Sequence, residues 1–128
     1  MPKSGPIVIV EDDLDDQEIL VEIFKKLGYQ NEIVYFIDGN NALQYINRTD
    51  VKPFLILSDI NMPGMSGLEL LKKIKQMYAV PPPVVMMITA YGDEENYNRS
   101  LSLGADDFLT KPLDFNLLKE KLKTKING

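Results

Sequence analysis

Five short apolar runs recur along the chain, and four of them stop abruptly at polar or charged residues. They are Pro6-Ile7-Val8-Ile9-Val10, closed by Glu11-Asp12-Asp13; Glu32-Ile33-Val34-Tyr35-Phe36; Phe54-Leu55-Ile56-Leu57-Ser58, closed by Asp59; Val84-Val85-Met86-Met87-Ile88, closed by Thr89; and Asp107-Phe108-Leu109-Thr110, closed by Lys111-Pro112. Most are apolar without alternation, β-branched and bounded by turn signals, which reads as strands buried on both faces of a parallel sheet. Between them the apolar positions fall at helical spacing. Ile19, Leu20, Ile23, Phe24 and Leu27 predict a helix over 15–27, with Gly28 as its stop. Ala42, Leu43, Tyr45 and Ile46 predict a second, opened at Asp38-Gly39 and ending near Asn47. Leu68, Leu71, Ile74 and Met77 predict a third, with Ser66 as N-cap, Glu69 as its capping-box partner, and Lys72, Lys73 and Lys75 outside. Pro81-Pro82-Pro83 then breaks the chain. A fourth helix opens at Gly92-Asp93-Glu94-Glu95 and runs toward Leu103, but Asn96, Tyr97, Asn98, Ser100 and Ser102 leave it little apolar stripe. The last, from Asp114 to about Ile126, is expected to bury Leu117, Leu118, Leu122 and Ile126 and to turn Lys119, Lys121, Lys123 and Lys125 to water.

Strand followed by helix about five times predicts an α/β fold, a doubly wound five-stranded parallel sheet with helices on both faces. At 128 residues, with 45% apolar and 26% charged, the chain is one domain's worth and can bury a core without staples. The absence of both cysteine and histidine excludes disulfides, thiolate or imidazole metal sites and Ser/His or Cys/His catalysis. Carboxylates, hydroxyls and lysines are left to carry any chemistry. A net charge of −5 argues against a nucleic-acid partner. No run reaches membrane-spanning length and Met1-Pro2-Lys3-Ser4-Gly5 has no signal-peptide core, so no membrane association and a cytoplasmic location are expected.

In a doubly wound sheet the carboxyl ends of the strands share one edge, where ligands bind. Glu11, Asp12, Asp13, Asp59, Thr89 and Lys111 are thereby expected to converge from distant parts of the sequence. Taken singly each has a blander role: Asp59 as a turn residue, Asp13 as a helix-start residue serving the dipole, Thr89 as strand, Phe108 as core, Lys111 as surface charge. Together, carboxylates without nitrogen or sulfur donors make a hard oxygen site of the Mg²⁺ type, which prefers a few carboxylates plus phosphate oxygens. A hydroxyl at Thr89 and an ammonium at Lys111 suit the oxygens of a phosphoryl group, with Asp59, in the middle, as the nucleophile.

The segments Ile7-Val8-Ile9-Val10-Glu11-Asp12-Asp13, Leu57-Ser58-Asp59-Ile60-Asn61-Met62-Pro63-Gly64-Met65-Ser66-Gly67, Ile88-Thr89-Ala90 and Gly104-Ala105-Asp106-Asp107-Phe108-Leu109-Thr110-Lys111-Pro112 resemble, in order and spacing, the receiver domain of two-component response regulators. The resemblance runs from about Pro6 to Ile126, so residues 1–128 are expected to form a single receiver domain without an output domain. It implies the flavodoxin-like strand order 2-1-3-4-5 and a phosphorelay function. Asp59 resembles the phosphoacceptor, served by a sensor histidine kinase or histidine phosphotransfer domain. Asp12 is similar to the direct Mg²⁺ ligand, Glu11 to its companion, and Asn61 to the residue whose backbone carbonyl completes the metal shell. Thr89 looks like the switch hydroxyl, Phe108 like the aromatic that moves with it, and Lys111 like the lysine that pairs with the phosphoryl oxygens. Lys111-Pro112 is expected to be a cis peptide.

The resemblance further implies readout through the helix 4, strand 5, helix 5 face to a downstream protein, with a weak homodimer through the same face. Activity beyond self-phosphorylation and slow autodephosphorylation is not expected. Ser66 departs from the family's commoner Asp or Asn, and Tyr97 and Ser100 stand where apolar residues are usual. The resemblance places Asn61 and Tyr91 at positions that tune dephosphorylation in the family. Two alternatives stand beside this reading. One is a phosphorylation-independent interaction module, against which the intact acidic pair, Asp59, Thr89 and Lys111 argue. The other is a Mg²⁺-dependent small-molecule phosphatase, which would need a second acid where Asn61 stands. A flavin-binding relative is disfavoured because Glu11-Asp12-Asp13 would repel phosphate.

Overall fold

The run Ile7–Val10 forms β1, and every one of its side chains is buried, the signature of a strand covered on both faces. A computed structural model describes residues 5–78, 82–90 and 92–125 of the chain. After β1 come α1 (Leu14–Lys26), β2 (Ile33–Phe36), α2 (Gly39–Arg48), β3 (Leu55–Asp59), α3 (Gly67–Met77), β4 (Val84–Thr89), α4 (Glu94–Ser102), β5 (Asp107–Thr110) and α5 (Phe115–Lys125). The strands pair in parallel in the order 2-1-3-4-5, the flavodoxin-like arrangement.

Alternate residues of the central strands feed two cores. On one face Ile7, Ile9, Leu55, Leu57, Met86 and Ile88 meet Leu20, Ile23 and Phe24 of α1 and Leu118 and Leu122 of α5. On the other, Val8, Val10, Ile56, Val85 and Met87 meet Ala42 and Ile46 of α2 and Leu68, Leu71 and Ile74 of α3. Each fully buried aliphatic side chain contributes about 1.5–3 kcal/mol relative to exposure, so the frame is fixed chiefly by these two layers.

Local chemistry sets the helix ends. Asp13 accepts from the N–H groups of Asp15 and Asp16, Asp38 from that of Asn41, Ser66 from that of Glu69 and Asp93 from that of Asn96. Asp13 is thus a helix cap, and Gly28, at φ +84°, ends α1 as expected. Several expectations fail. Leu117 is 42% exposed and Ile19 43%, while Gln17 is buried in α1 and Leu113 and Phe115, at the entry to α5, pack on the core. Lys75 and Lys121 are not simply solvated: Lys75 pairs with Asp106 at 3.1 Å and Lys121 with Asp107 at 2.9 Å. The expectations for Pro81, Tyr91, Ile126 and the side chain of Lys125 lie outside the described residues.

Gly67 joins fold to site. A Cβ there would stand 2.0 Å from the carbonyl oxygen of Asp59 and 2.8 Å from the Cα of Ile60. The first turn of α3 therefore presses directly on the end of β3, and only a bare backbone fits. Gly28 has open space around it, so alanine there meets only the left-handed backbone penalty of about 1–2 kcal/mol. Gly67→Ala is expected to cost about 3 kcal/mol or more in urea unfolding, well beyond Gly28→Ala. Equal losses would mean that the Asp59–Gly67 contact yields freely.

Candidate functional site

Parallel pairing brings the strand ends to one edge. Val10 pairs with Ser58 and Asp59 with Ile88, so Glu11, the residue after β1, arrives beside Asp59, the last residue of β3. Thr89 ends β4 opposite Thr110 of β5, and the N–H of Lys111 donates to the Thr89 carbonyl oxygen at 2.9 Å. Lys111 thus leaves the sheet next to Thr89, and its long side chain reaches back to Asp59 across β4. Lys111-Pro112 is cis.

Glu11 is fully buried, Asp59 6% exposed and Thr89 3% exposed, whereas Asp12 stands in solvent. One ammonium serves several carboxylates. Lys111 Nζ lies 3.2 Å from Glu11 Oε1, 3.2 Å from Asp59 Oδ2 and 2.9 Å from Asp16 Oδ2. The N–H of Asp13 donates to Glu11 Oε2 and that of Asn61 to Asp59 Oδ1. Glu11 Oε1, buried, has the Lys111 ammonium 3.2 Å away but no well-directed hydrogen bond.

Charge explains the titration of the group. Burial pushes the Glu11 carboxyl up to about 8; the hydrogen bond from the Asp13 N–H opposes this, the hydrogen bond and charge of Asp59 add to it, and Lys111 pulls it back down. Burial lowers the Lys111 ammonium, but the Asp16 hydrogen bond and the charges of Asp59 and Glu11 outweigh burial and hold it above the usual lysine range. Glu11, Asp12 and Asp59 each offer a carboxylate oxygen, all within 4.8 Å of one another. An all-oxygen donor set with a buried, unbonded Glu11 Oε1 fits a hard divalent cation such as Mg²⁺.

Phe108 begins its own cluster one residue into β5. Its ring meets Tyr97 of α4 edge-on with centroids 4.0 Å apart, and Lys121 Nζ of α5 lies 4.8 Å from its centroid. The cleft between Thr89 and Phe108 is lined further by Ala90, Gly92, Asp93, Glu94, Tyr97 and Thr110. Glu11, Asp59 and Lys111 are thus drawn together, with Asp12 at their rim, while Thr89 and Phe108 share the adjoining cleft. Asn61 is exposed beside the site. Two site residues escaped the sequence reading: Asp16, and Gln17, whose amide donates to the Glu11 carbonyl oxygen at 3.4 Å. The signal available was their spacing after Glu11, which sets them in the first turn of α1 facing the sheet edge.

Among the described residues no helix is long and apolar enough to cross a membrane. A family model, the response regulator receiver domain, matches residues 7–123. The chain is 35% identical over 116 residues to a cyclic di-GMP phosphodiesterase of Thermotoga maritima, covering 91% of this chain and 29% of that protein. It spans less than a third of the length of the curated relatives it matches. Among solved structures, the receiver domain of a signal transduction histidine kinase from Syntrophus aciditrophicus superposes with a TM-score of 0.81 at 36% identity, over 97% of this chain and 91% of that one. The receiver domain of sensor histidine kinase PA1611 from Pseudomonas aeruginosa PAO1, with a magnesium ion coordinated in its active site cleft, gives 0.80 at 25% identity over 98% and 99%. By sequence across nearly its whole length and by the frame that gathers its strand ends, this chain belongs to the response regulator receiver domains of two-component signalling.

Proposed function

We propose that this domain accepts a phosphoryl group on Asp59 from a sensor histidine kinase or a histidine phosphotransfer domain, and that acceptance switches its protein-binding face. The observation that carries the reading is the Lys111 ammonium 3.2 Å from Asp59 Oδ2 beside the buried, unbonded Glu11 Oε1. An Asp59 carboxylate oxygen forms the new P–O bond as the P–N bond of the donor phosphohistidine breaks; the imidazole nitrogen keeps the electron pair and takes a proton. Glu11, Asp12, Asp59 and the backbone carbonyl of Asn61 hold Mg²⁺, and the magnesium in the cleft of the Pseudomonas aeruginosa receiver supports this assignment. Bound there, the cation supplies charge neutralisation for the phosphoryl oxygens.

Lys111 contributes the second positive charge and already lies 3.2 Å from Asp59 Oδ2. The hydroxyl of Thr89 is drawn to the new dianionic group, and Phe108, across the shared cleft, follows. The α4–β5–α5 surface is then the readout, both for a downstream protein and for weak self-association. Asn61 offers no carboxylic acid beside the nucleophile, which supports a slowly decaying phosphoprotein over a turnover enzyme.

Incubation with Mg²⁺ and a small phosphodonor is expected to add one phosphoryl group to wild-type protein by intact mass. Asp59→Ala is expected to add none, and an adduct surviving that substitution would sink the assignment. A second expectation concerns the cation-free protein. Glu11 has a folded pKa above its unfolded one, so the folded state binds a proton that the unfolded chain releases, and stability falls as pH rises from about 4.5 to about 8. Glu11→Gln should flatten that slope and stabilise the cation-free protein at pH 8 by about 1–3 kcal/mol in urea unfolding. An unchanged slope would show that Glu11 is not the strained group.

A further inference from the structure

Asp16 has no role in the proposed phosphoryl transfer, yet it makes the shortest contact with Lys111. Asp13 caps α1 and so places Asp15 and Asp16 together in the first turn. They then diverge. Asp15 is exposed at the rim of a groove with Glu18 and Ile19, whereas the Asp16 side chain is only 22% exposed and turned to the strand ends. Gln17 is buried and tied to the Glu11 carbonyl oxygen, which fixes this turn against β1 and aims its neighbour. A carboxylate held this close to Glu11 and Asp59 is electrostatically unfavourable unless the cation repays it.

We propose that Asp16 is a positioning residue that anchors Lys111 on the α1 side in the resting state and competes with a phosphorylated Asp59 for its ammonium. An ammonium has three protons, and here three acidic residues lie within 3.2 Å of it. A phosphoryl group on Asp59 brings further strong acceptor oxygens to the same nitrogen. Lys111 can serve them fully only by loosening its hold on Asp16. The strength of that hold therefore sets how much of the lysine's charge the phosphorylated state recovers, and Asp16 tunes both the uptake and the persistence of the modification without touching the phosphoryl group. The competitor role rests on the phosphoacceptor reading; the anchoring contact does not.

Two measurements on the intact chain separate these. The first uses cation-free protein with no phosphodonor and reads the labelling of Lys111 by an amine-acylating reagent at fixed pH, by peptide mass spectrometry. Asp16→Asn is expected to raise labelling of Lys111 about threefold or more, while Asp15→Asn, which removes the same charge from the same helix turn, leaves it unchanged. The second reads the steady adduct level with Mg²⁺ and a small phosphodonor, where Asp16→Asn is expected to exceed wild type and Asp15→Asn about threefold or more. Equal labelling in the two variants overturns the anchor. Raised labelling with an unchanged or lowered adduct overturns the competition, and would make Asp16 a support for catalysis. No adduct on wild-type protein sinks the phosphoacceptor reading and the competition with it, while the labelling result still decides the anchor.

Discussion

One ammonium set among carboxylates is the constraint on which the rest of the site depends. Glu11, Asp16 and Asp59 all lie within 3.2 Å of Lys111 Nζ, and two of the three are buried. Such a group cannot hold itself together, since burying a carboxylate costs several kcal/mol and like charges push one another apart. It is held by the frame beneath. Ile7, Ile9, Leu55 and Leu57 on one face and Val8, Val10 and Ile56 on the other fix β1 and β3 side by side. Glu11 and Asp59 then have nowhere to retreat. Burial is the main reason the Glu11 carboxyl is pushed up, and the neighbouring Asp59 adds to it. On the proposed reading, that repulsion is what a divalent cation relieves and what makes the edge receptive to it.

The same geometry ties the charged edge to a surface on its flank. Lys111 hangs from β5 by the bond between its N–H and the Thr89 carbonyl oxygen, so β4 and β5 cannot shift independently at their ends. Three residues before Lys111, Phe108 is gripped by Tyr97 from α4 and by Lys121 from α5, and Lys121 is itself tied to Asp107. On the proposed reading, a change in what Lys111 and Thr89 bind reaches one ring that both flanking helices touch. Coupling of this kind needs no long pathway: the strand end and the ring lie within four residues of one chain segment.

The strands, their parallel pairing and the gathering of Glu11, Asp59, Thr89 and Lys111 were legible because continuous apolar runs ending in polar residues encode them directly. What escaped was decided by partners that a linear pattern does not display. Lys75 and Lys121 sit on helices that read as lysine-rich solvated faces, but each finds an aspartate at the start of β5, Asp106 and Asp107, which hydrophobic spacing cannot reveal. Leu117 and Ile19 fit the helical period and still point outward, because α1 and α5 each bury only a narrow stripe, and Leu113 ahead of α5 and Phe115 at its start fill the space instead. Asp16 and Gln17 lie in the first turn of α1, off the apolar stripe that the sequence pattern displays. Their direction follows from the cap at Asp13 and the angle at which α1 leaves the sheet edge, neither of which composition carries.

The polarity of α4 follows from the same division of labour. Its one buried side chain among those described is Ser100, whose hydroxyl donates to the Tyr97 carbonyl oxygen at 2.8 Å within its own helix. The helix thus contributes little apolar area of its own, and Leu103 and Ala105 just beyond it pack on the core in its place. An element held by few buried contacts sits at the low end of local stability, where small biases shift its position. α1 and α3 show the opposite economy, with Leu20, Ile23 and Phe24 on one and Leu68, Leu70, Leu71 and Ile74 on the other all buried. The helices that carry or press on the charged edge are thereby anchored through more buried side chains than the one against Phe108.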